Sequence, residues 1–292
     1  MTPRDILSAI ISSLFFGLAF IAIKIGVRET TPLLLTALRF VFTALPAVLL
    51  VKPPKTSFAL TALYGLSIGV GQFGLLFLAI GLGMPVGLAS LVIQLQVFIT
   101  VFLAWAWFGE KPRPAQLVGA AIALLGILAI GSERLRGASP GPFLLVIGAA
   151  LFWGLGNLIG KLAGKIDMFA FVVWAALAAP APLILLSLVI EGGASLQALR
   201  HPSLALVLCV AMLAYGSTVI AYGLWAGLLA SYSAAEVAPF ALLIPVVGMI
   251  SGAVAFGEPL SGIELLGAAL VMAGLICNIF GDRLIGRRER AA

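Results

Sequence analysis

The residues of this chain that could do chemistry are polar side chains scattered through long apolar stretches. Seven uncharged ones can hydrogen-bond a small polar ligand, and they are Gln72, Ser90, Gln94, Trp153, Asn157, Tyr215 and Tyr222. Ser90 and Gln94 are four residues apart, as are Trp153 and Asn157, so each pair shares one face of a helix. For any single residue, a hydrogen bond between neighbouring helices is the simpler interpretation. As a set, they predict a substrate-binding cavity.

Two lysines occupy matching positions in a repeated segment. Residues 14–24 read LFFGLAFIAIK and residues 151–161 read LFWGLGNLIGK, with five of eleven residues identical. Lys24 and Lys161 either reach water from the ends of their helices or gate the cavity by pairing with an oxygen. Arg39 has no acidic neighbour in the sequence, so we expect it to reach water or a helix-end carbonyl rather than substrate.

Carboxylates are sparse within the apolar stretches, although proton- or sodium-driven carriers usually place one at membrane depth. Glu236 is the one candidate, and it follows Ser233 at the spacing of a capping box, which places it at a helix end. Glu110 and Glu258 lie in a repeated FGE motif, where we expect each to hold the start of the following helix. The sequence therefore predicts weak or no ion coupling.

The apolar stretches contain few residues of the types that catalyse reactions. The single histidine, His201, lies in a predicted loop, and no carboxylate pair or metal-ligand set occurs within an apolar stretch. We therefore predict a protein that is not an enzyme, with no catalytic residue, no metal site and no cofactor.

The composition requires these residues to be positioned by membrane-spanning elements. Hydrophobic residues make up 62% of the 292 residues and charged residues 10%, with a mean hydropathy of +1.21. Soluble domains carry about 25% charged residues, so the surface of this protein must face lipid. The net charge of +6 arises from basic residues in short loops and at the C-terminus. This distribution indicates membrane topology and contact with lipids rather than nucleic-acid binding.

Ten apolar segments are long enough to span a bilayer, which predicts an all-α membrane protein. They cover 6–27, 33–51, 58–82, 85–108, 115–131, 142–162, 169–190, 204–229, 234–256 and 262–280. Several breaks carry residues that favour helix starts: Thr31 before Pro32, Asp167 and Ser203 are candidate caps, and Ser261 with Glu264 has the spacing of a capping box. The third and fourth spans are separated by Gly81, Gly83 and Pro85. A second repeat begins FGEKPRPAQLVGAA at Phe108 and FGEPLSGIELLGAA at Phe256. We predict a first five-helix repeat over 1–137, a second over 138–280, and a basic tail over 281–292 that touches anionic head groups. Because five is odd, the second repeat is inverted around a central cavity.

Basic residues predict the orientation of the ten spans. Both termini share one side, and that side receives ten of the fourteen lysines and arginines counted in the loops and terminal segments. The positive side of a membrane protein faces the cytoplasm. We therefore expect both termini in the cytoplasm.

The two repeated motifs resemble a known family. LFxGLxxxxxK at the start of each half, and FGE before a Gly-Ala helix at the end of each half, resemble EamA-type carriers of the drug/metabolite transporter superfamily. Within it the chain looks most like the YddG-type exporters of bacterial inner membranes. The resemblance implies ten helices in two inverted halves and a cavity lined by Gln72, Ser90, Gln94, Trp153, Asn157 and Tyr222. Pro245 stands where the family has proline in span nine, but Val97 occupies the matching position in span four, which predicts unequal halves.

These observations predict an inner-membrane exporter of small neutral or zwitterionic metabolites by alternating access. Amino acids, including aromatic ones, fit an apolar cavity with a few amide groups. The alternative is a proton-coupled multidrug or metabolite exporter of the same fold. A passive pore would show unsaturable flux, and a carrier would show saturable flux with exchange. The sequence does not specify the oligomeric state.

Overall fold

The computed structural model describes residues 1–134, 140–192, 199–232 and 234–289, and within these ranges the chain is helical with no strand. Nine of the described helices are long and apolar enough to cross a membrane, and α2 is a shorter apolar helix. In chain order they are α1 (Pro3–Glu29), α2 (Pro32–Val48), α3 (Phe58–Gly81), α4 (Val86–Phe108), α5 (Pro114–Glu133), α6 (Gly141–Leu162), α7 (Met168–Glu191), α8 (Leu204–Leu228), α9 (Glu236–Phe256) and α10 (Gly262–Gly281).

Each predicted span corresponds to one of these helices. The break between α3 and α4 lies where Gly81, Gly83 and Pro85 predicted it, and Gly83 has a φ of 99°, a conformation that favours glycine. The predicted second span was too long, because α2 ends at Val48. Pro53 follows closely, and proline restricts the residue before it to extended conformations, so the helix cannot continue into the loop.

Helix caps explain where several helices begin. Asp167 accepts a hydrogen bond from the Ala170 N–H at 3.1 Å, and Ser203 accepts one from the Leu206 N–H at 3.0 Å. Both caps were predicted from the sequence, and both satisfy N–H groups that a helix start otherwise leaves unpaired.

The capping box before α10 is also confirmed. Ser261 N–H donates to Glu264 Oε2 at 2.9 Å and Glu264 N–H donates to Ser261 Oγ at 3.2 Å. Thr31 occupies the predicted N-cap position before Pro32, but its side chain makes no capping bond. The Glu191 carboxylate at the end of α7 accepts the Leu33 N–H at 2.8 Å.

Contacts between helix ends define two faces of the bundle. On the N-terminal face, Tyr232 after α8 donates its hydroxyl to Asp5 at the start of α1 at 2.6 Å. On the opposite face, called here the distal face, Ser203 before α8 donates to Glu29 at the end of α1 at 2.6 Å. Since α1 and α8 each run from one face to the other, the two hydrogen bonds mark the two ends of the bundle.

The two halves exchange contacts as an inverted repeat requires. In the FGE alignment, Gly119 of α5 corresponds to Gly267 of α10, and Gly126 corresponds to Gly274. A side-chain carbon at Gly119 would lie 2.6 Å from the Gly274 carbonyl oxygen, and one at Gly126 would lie 2.6 Å from the Gly267 carbonyl oxygen. Gly119 therefore meets the counterpart of Gly126, and Gly126 meets the counterpart of Gly119. A pseudo-two-fold axis between α5 and α10 produces this reciprocal pattern. Only glycine permits such close backbone approach.

The halves also share their irregularities. Alpha-helical geometry widens to a π-helix over Leu66–Gly74 of α3 and over Met212–Ile220 of α8. Near mid-length, α4 tightens to a 3-10 turn over Ile93–Leu95, and α9 is interrupted at Leu242. In the FGE alignment Leu242 corresponds to Gln94, so both helices break at one depth although Pro245 has no counterpart proline at Val97. π-Segments and mid-helix 3-10 turns recur at functional sites and hinges.

Candidate functional site

The distal halves of α4 and α9 pack directly against each other. A side-chain carbon at Gly248 of α9 would overlap the Ser90 side chain, and one at Gly87 of α4 would lie 3.1 Å from the Met249 Cα. Ser90 is fully buried, and its hydroxyl donates to the Gly87 carbonyl of its own helix at 2.8 Å. Ser90 was predicted to bind substrate, and in this conformation its side chain packs in the α4–α9 contact.

Lys24 forms an ion pair beside this contact. Its Nζ lies 3.4 Å from Oε1 of Glu258, and the two side chains are 16% and 12% exposed. The other carboxylate oxygen of Glu258 accepts the Val86 N–H at 2.8 Å. Glu258 was expected to hold the next helix, α10, but it caps the start of α4 instead. Because Lys24 belongs to the first repeat and Glu258 to the second, this distal pair links the two halves.

The counterpart residues pair on the N-terminal face. Lys161 of the second repeat forms an ion pair with Glu110 of the first repeat and lies 4.8 Å from the centre of the Phe108 ring. The lysine and glutamate side chains are 45% and 55% exposed. The expectation that Glu110 holds the next helix is therefore replaced by a second pair between the repeats. We call it the N-terminal pair.

Asn157 of α6 contacts the half of α4 that lies towards the N-terminal face. Its Nδ2 donates to Gln96 Oε1 at 3.0 Å and to Thr100 Oγ1 at 2.9 Å. On this face α4 packs against α6, whereas the first segment of α9 packs against α1 and α10. Asn157 was predicted to bind substrate, and in this conformation it makes the helix-to-helix contact that was the simpler interpretation.

Gln72 and Gln94 are the amides that remain available to a ligand. Each is 3% exposed, and neither side chain forms a hydrogen bond within the part of the chain that the structure describes. Buried amides normally pair, so an unpaired amide beside the helix breaks suits a polar ligand. Trp153 is half-buried and packs against the central apolar cluster, where it supplies an aromatic wall.

Tyr222 lines a small cavity that holds a buried cation. Arg39 is 5% exposed, and its Nη2 donates to Thr218 Oγ1 at 3.1 Å. The guanidinium carbon lies 3.8 Å from the centre of the Phe73 ring. Arg39 therefore does not reach water or a helix end, and that expectation was wrong. The sequence missed this site because Phe73 and Thr218 are distant from Arg39 along the chain.

Two predicted residues lie away from these clusters. Tyr215 is 39% exposed, and Val207, Leu208 and Ile220 of the same helix are exposed as well. Tyr215 is not among the residues that line the cavity beside Tyr222. Glu236 is exposed in the first turn of α9, which places it at a helix end. Its predicted capping partner Ser233, the basic residue Arg290 and the 137/138 repeat boundary lie outside the described residues.

The described residues form ten apolar helices in two inverted halves, with ion pairs between the halves and buried polar groups between the helices. This is the architecture of a multi-pass membrane transporter. The comparison with known families specifies which kind. The EamA-like transporter family matches residues 4–132 and again residues 141–280, and the chain belongs to that family.

Relatives match over nearly the whole chain. A protein of Salmonella typhimurium (strain LT2) named "Probable amino-acid metabolite efflux pump" is 40% identical, over 97% of each chain. A protein of the same name from Escherichia coli (strain K12) is 38% identical, again over 97% of each chain. A solved crystal structure covers 98% of this chain and 99% of its own, with a TM-score of 0.66 and 22% identity. That last similarity concerns the fold alone.

Proposed function

We propose that this protein exports small neutral or zwitterionic amino acids, including aromatic ones, across a bacterial inner membrane by alternating access. The observation that carries the proposal is the crossed pairing of Lys24 with Glu258 and of Lys161 with Glu110. Each lysine of the LFxGLxxxxxK repeat pairs with the FGE glutamate of the other half, and the pairs lie on opposite faces. Two equivalent contacts that differ in exposure are what alternating access between two inverted halves requires.

The distal face is the closed one in this conformation. There the α4–α9 contact and the enclosed distal pair seal the bundle, while the N-terminal pair is open to solvent. The basic residues predict that the N-terminal face is cytoplasmic. The conformation is then inward-open, ready to receive cargo from the cytoplasm.

The cargo class is supported by the relatives' printed names and by the polar groups between the helices. The amides of Gln72 and Gln94 suit the ammonium and carboxylate of an amino acid, and Trp153 and Tyr222 suit an apolar or aromatic side chain. Strongly anionic cargo such as sugar phosphates would need more cations than Arg39 alone.

We further propose that transport needs no ion gradient. Among the described side chains, every carboxylate lies at a helix end or in a loop, and Glu258 is engaged by Lys24 and the Val86 N–H. A driving proton needs a carboxylate that is free to bind it at membrane depth. Glu236, exposed at the start of α9, does not meet that requirement.

Uptake of labelled phenylalanine, tryptophan and threonine into liposomes containing the purified protein tests the proposal. We expect saturable uptake without a pH gradient, acceleration by unlabelled amino acid inside the liposomes, and full activity in Glu236→Gln. Unsaturable flux would indicate a pore. Transport of cationic dyes that requires a proton gradient and is lost in Glu236→Gln would establish the multidrug alternative instead.

A further inference from the structure

Arg39 is a buried cation without a counter-charge. It lies seven residues into α2, about 10 Å along the helix from Pro32. Among the residues that the structure describes, no carboxylate forms an ion pair with it, and its Nε has no hydrogen-bond partner. An arginine side chain carries five N–H donors and stays charged in proteins. Charges within membrane-spanning segments are costly and usually mark a functional site.

The surroundings of Arg39 form an aromatic enclosure with a space beside it. The guanidinium lies over the ring of Phe73 at 3.8 Å and beside that of Phe40 at 5.6 Å. Arg39 lines a cavity of about 30 Å³ together with Phe73, Thr218, Tyr64 and Tyr222. A single water needs about 10–15 Å³ measured in this way. The cavity therefore accommodates a group the size of a carboxylate, and not a complete amino acid.

The position of the cavity in the fold is that of a transporter binding site. Its walls come from α2 and α7, which are repeat counterparts, and from α3 and α8, which are also counterparts. It therefore lies between the two halves, where such proteins bind cargo. The π-segments border it, because Phe73 belongs to the one in α3 and Thr218 to the one in α8. α7 contributes Val172, Ala175 and Ala176, so the first half alone supplies the charge.

We propose that Arg39 binds the carboxylate of the transported molecule. This inference rests on the proposed function and deepens it by assigning the group that the cargo must carry. A carboxylate at this position supplies the missing counter-charge and accepts the Nε–H together with one Nη–H, the bidentate geometry that arginine favours. The remainder of the cargo extends past Tyr222, whose ring meets Phe16 of α1 edge-on at 5.8 Å between centroids.

A purely structural role would have Arg39 tie α2 to α3 and α8 through Phe73 and Thr218. The two roles differ in one measurable property, since only a binding role makes ligand affinity depend on the carboxylate. Phenylalanine and phenylalaninamide share the ring and the ammonium group and differ in that group. Phenylpyruvate keeps the carboxylate and lacks the ammonium.

The experiment measures the shift in melting temperature of the purified protein with each of these three compounds, and their competition with labelled phenylalanine in liposomes. For the unaltered protein, we expect phenylalanine to compete at least tenfold better than its amide. In Arg39→Gln the ratio falls to near one, and in Arg39→Lys, which keeps the charge but not the bidentate fork, it falls part of the way.

Thr43→Val is the matched control. Thr43 is buried one turn after Arg39 on the same helix, and its hydroxyl donates to the Ala214 carbonyl of the α8 π-segment at 3.4 Å, whereas Arg39 donates to Thr218. We expect its preference for the carboxylate to remain unchanged. Should Arg39→Gln fail to fold, Arg39→Lys and the ligand panel on the unaltered protein still decide the question.

The outcomes separate this inference from the proposed function. Stabilisation by phenylpyruvate that depends on Arg39, without amino-acid transport, would support the carboxylate site and refute amino-acid export. Amino-acid transport in which the amide competes as well as the acid would refute the carboxylate site alone. An unchanged preference in folded Arg39→Gln would also overturn it.

Discussion

The two Lys–Glu pairs contain the same residue types from the same two motifs, yet they lie in different surroundings. The distal pair is nearly enclosed, and Glu258 also accepts the Val86 N–H at the start of α4. The N-terminal pair is about half exposed. Exposed ion pairs contribute about 0–1 kcal/mol, whereas removing one partner of a buried pair costs about 3–5 kcal/mol. The comparison teaches that the same motif residues form an enclosed pair on one face and an exposed pair on the other, so we expect burial, and not the motif, to set how strongly each pair stabilises its face.

The helices beside the two pairs also differ in their packing: α4 contacts α9 at the distal pair and α6 at the N-terminal pair. At the distal pair, α4 and α9 meet through Ser90 and Gly248, and a side-chain carbon at Gly252 would lie 2.7 Å from the Glu258 carboxylate. At the N-terminal pair, α4 is tied to α6 by Asn157. An exchange of these two arrangements would open the distal face and close the N-terminal face.

The largest effect is expected from breaking the distal pair. Lys24→Gln leaves the Glu258 carboxylate largely buried and unpaired, which should destabilise the closed distal face by about 3 kcal/mol, or roughly a hundredfold in population. A cysteine introduced by Ser251→Cys, in a protein lacking Cys209 and Cys277, reports this opening through its rate of maleimide labelling. The charge exchange Lys24→Glu with Glu258→Lys should restore slow labelling only in part, because a lysine side chain cannot accept the Val86 N–H. Equal rates with and without the ion pair would contradict the assignment.

A smaller effect is expected from separating α4 and α9 by added volume. In Gly248→Ala the new methyl overlaps the Ser90 side chain, and overpacking costs about 1–3 kcal/mol. The same labelling assay should show faster reaction, and Ser90→Gly in the same chain should reverse it. The control is Gly227→Ala in α8, where nothing lies within 4 Å of the added carbon. A labelling rate in the control equal to that of Gly248→Ala would contradict the packing argument.

The contact on the other face is weaker. Asn157→Leu removes hydrogen bonds to Gln96 and Thr100, and hydrogen bonds between membrane helices contribute about 0.6 kcal/mol on average. We expect a loss of roughly 1 kcal/mol in thermal unfolding and no change in the preference for carboxylate over amide. A changed preference would instead place Asn157 at the ligand, as the sequence had predicted.

The smallest effect is expected at the N-terminal pair. Lys161→Gln should change the melting temperature by the equivalent of less than about 1 kcal/mol, since exposed pairs are solvated and screened. The difference from the unaltered protein should vanish at 1 M salt, where the Debye length is about 3 Å. Lys165→Gln, an exposed lysine nearby, serves as the control. A loss as large as that of Lys24→Gln would show that exposure does not distinguish the two pairs.

The fold was largely predictable and the contacts of the candidate site were not. Span lengths, the caps at Asp167 and Ser203 and the break at Gly83 are local properties, so sequence periodicity and turn residues reveal them. The position of Tyr215 could not be predicted, because a polar side chain in an apolar helix gives no sign of which face it occupies. Arg39 was misjudged for a related reason, since its aromatic and hydroxyl neighbours are supplied by other helices.

The sequence by itself determined that this chain is an integral membrane protein, that it crosses the membrane ten times, and that its two halves are inverted repeats. The first two follow from apolar length, since an unpaired backbone polar group is too costly in hydrocarbon for any other solution. The third follows from the two duplicated motifs and the odd number of spans in each half. Only the tertiary structure decided that each repeat's lysine pairs with the other repeat's glutamate, and that Arg39 is enclosed without a counter-charge. Such pairings depend on how the helices pack, and the sequence of a nearly uniformly hydrophobic helix does not show which other helices contact it.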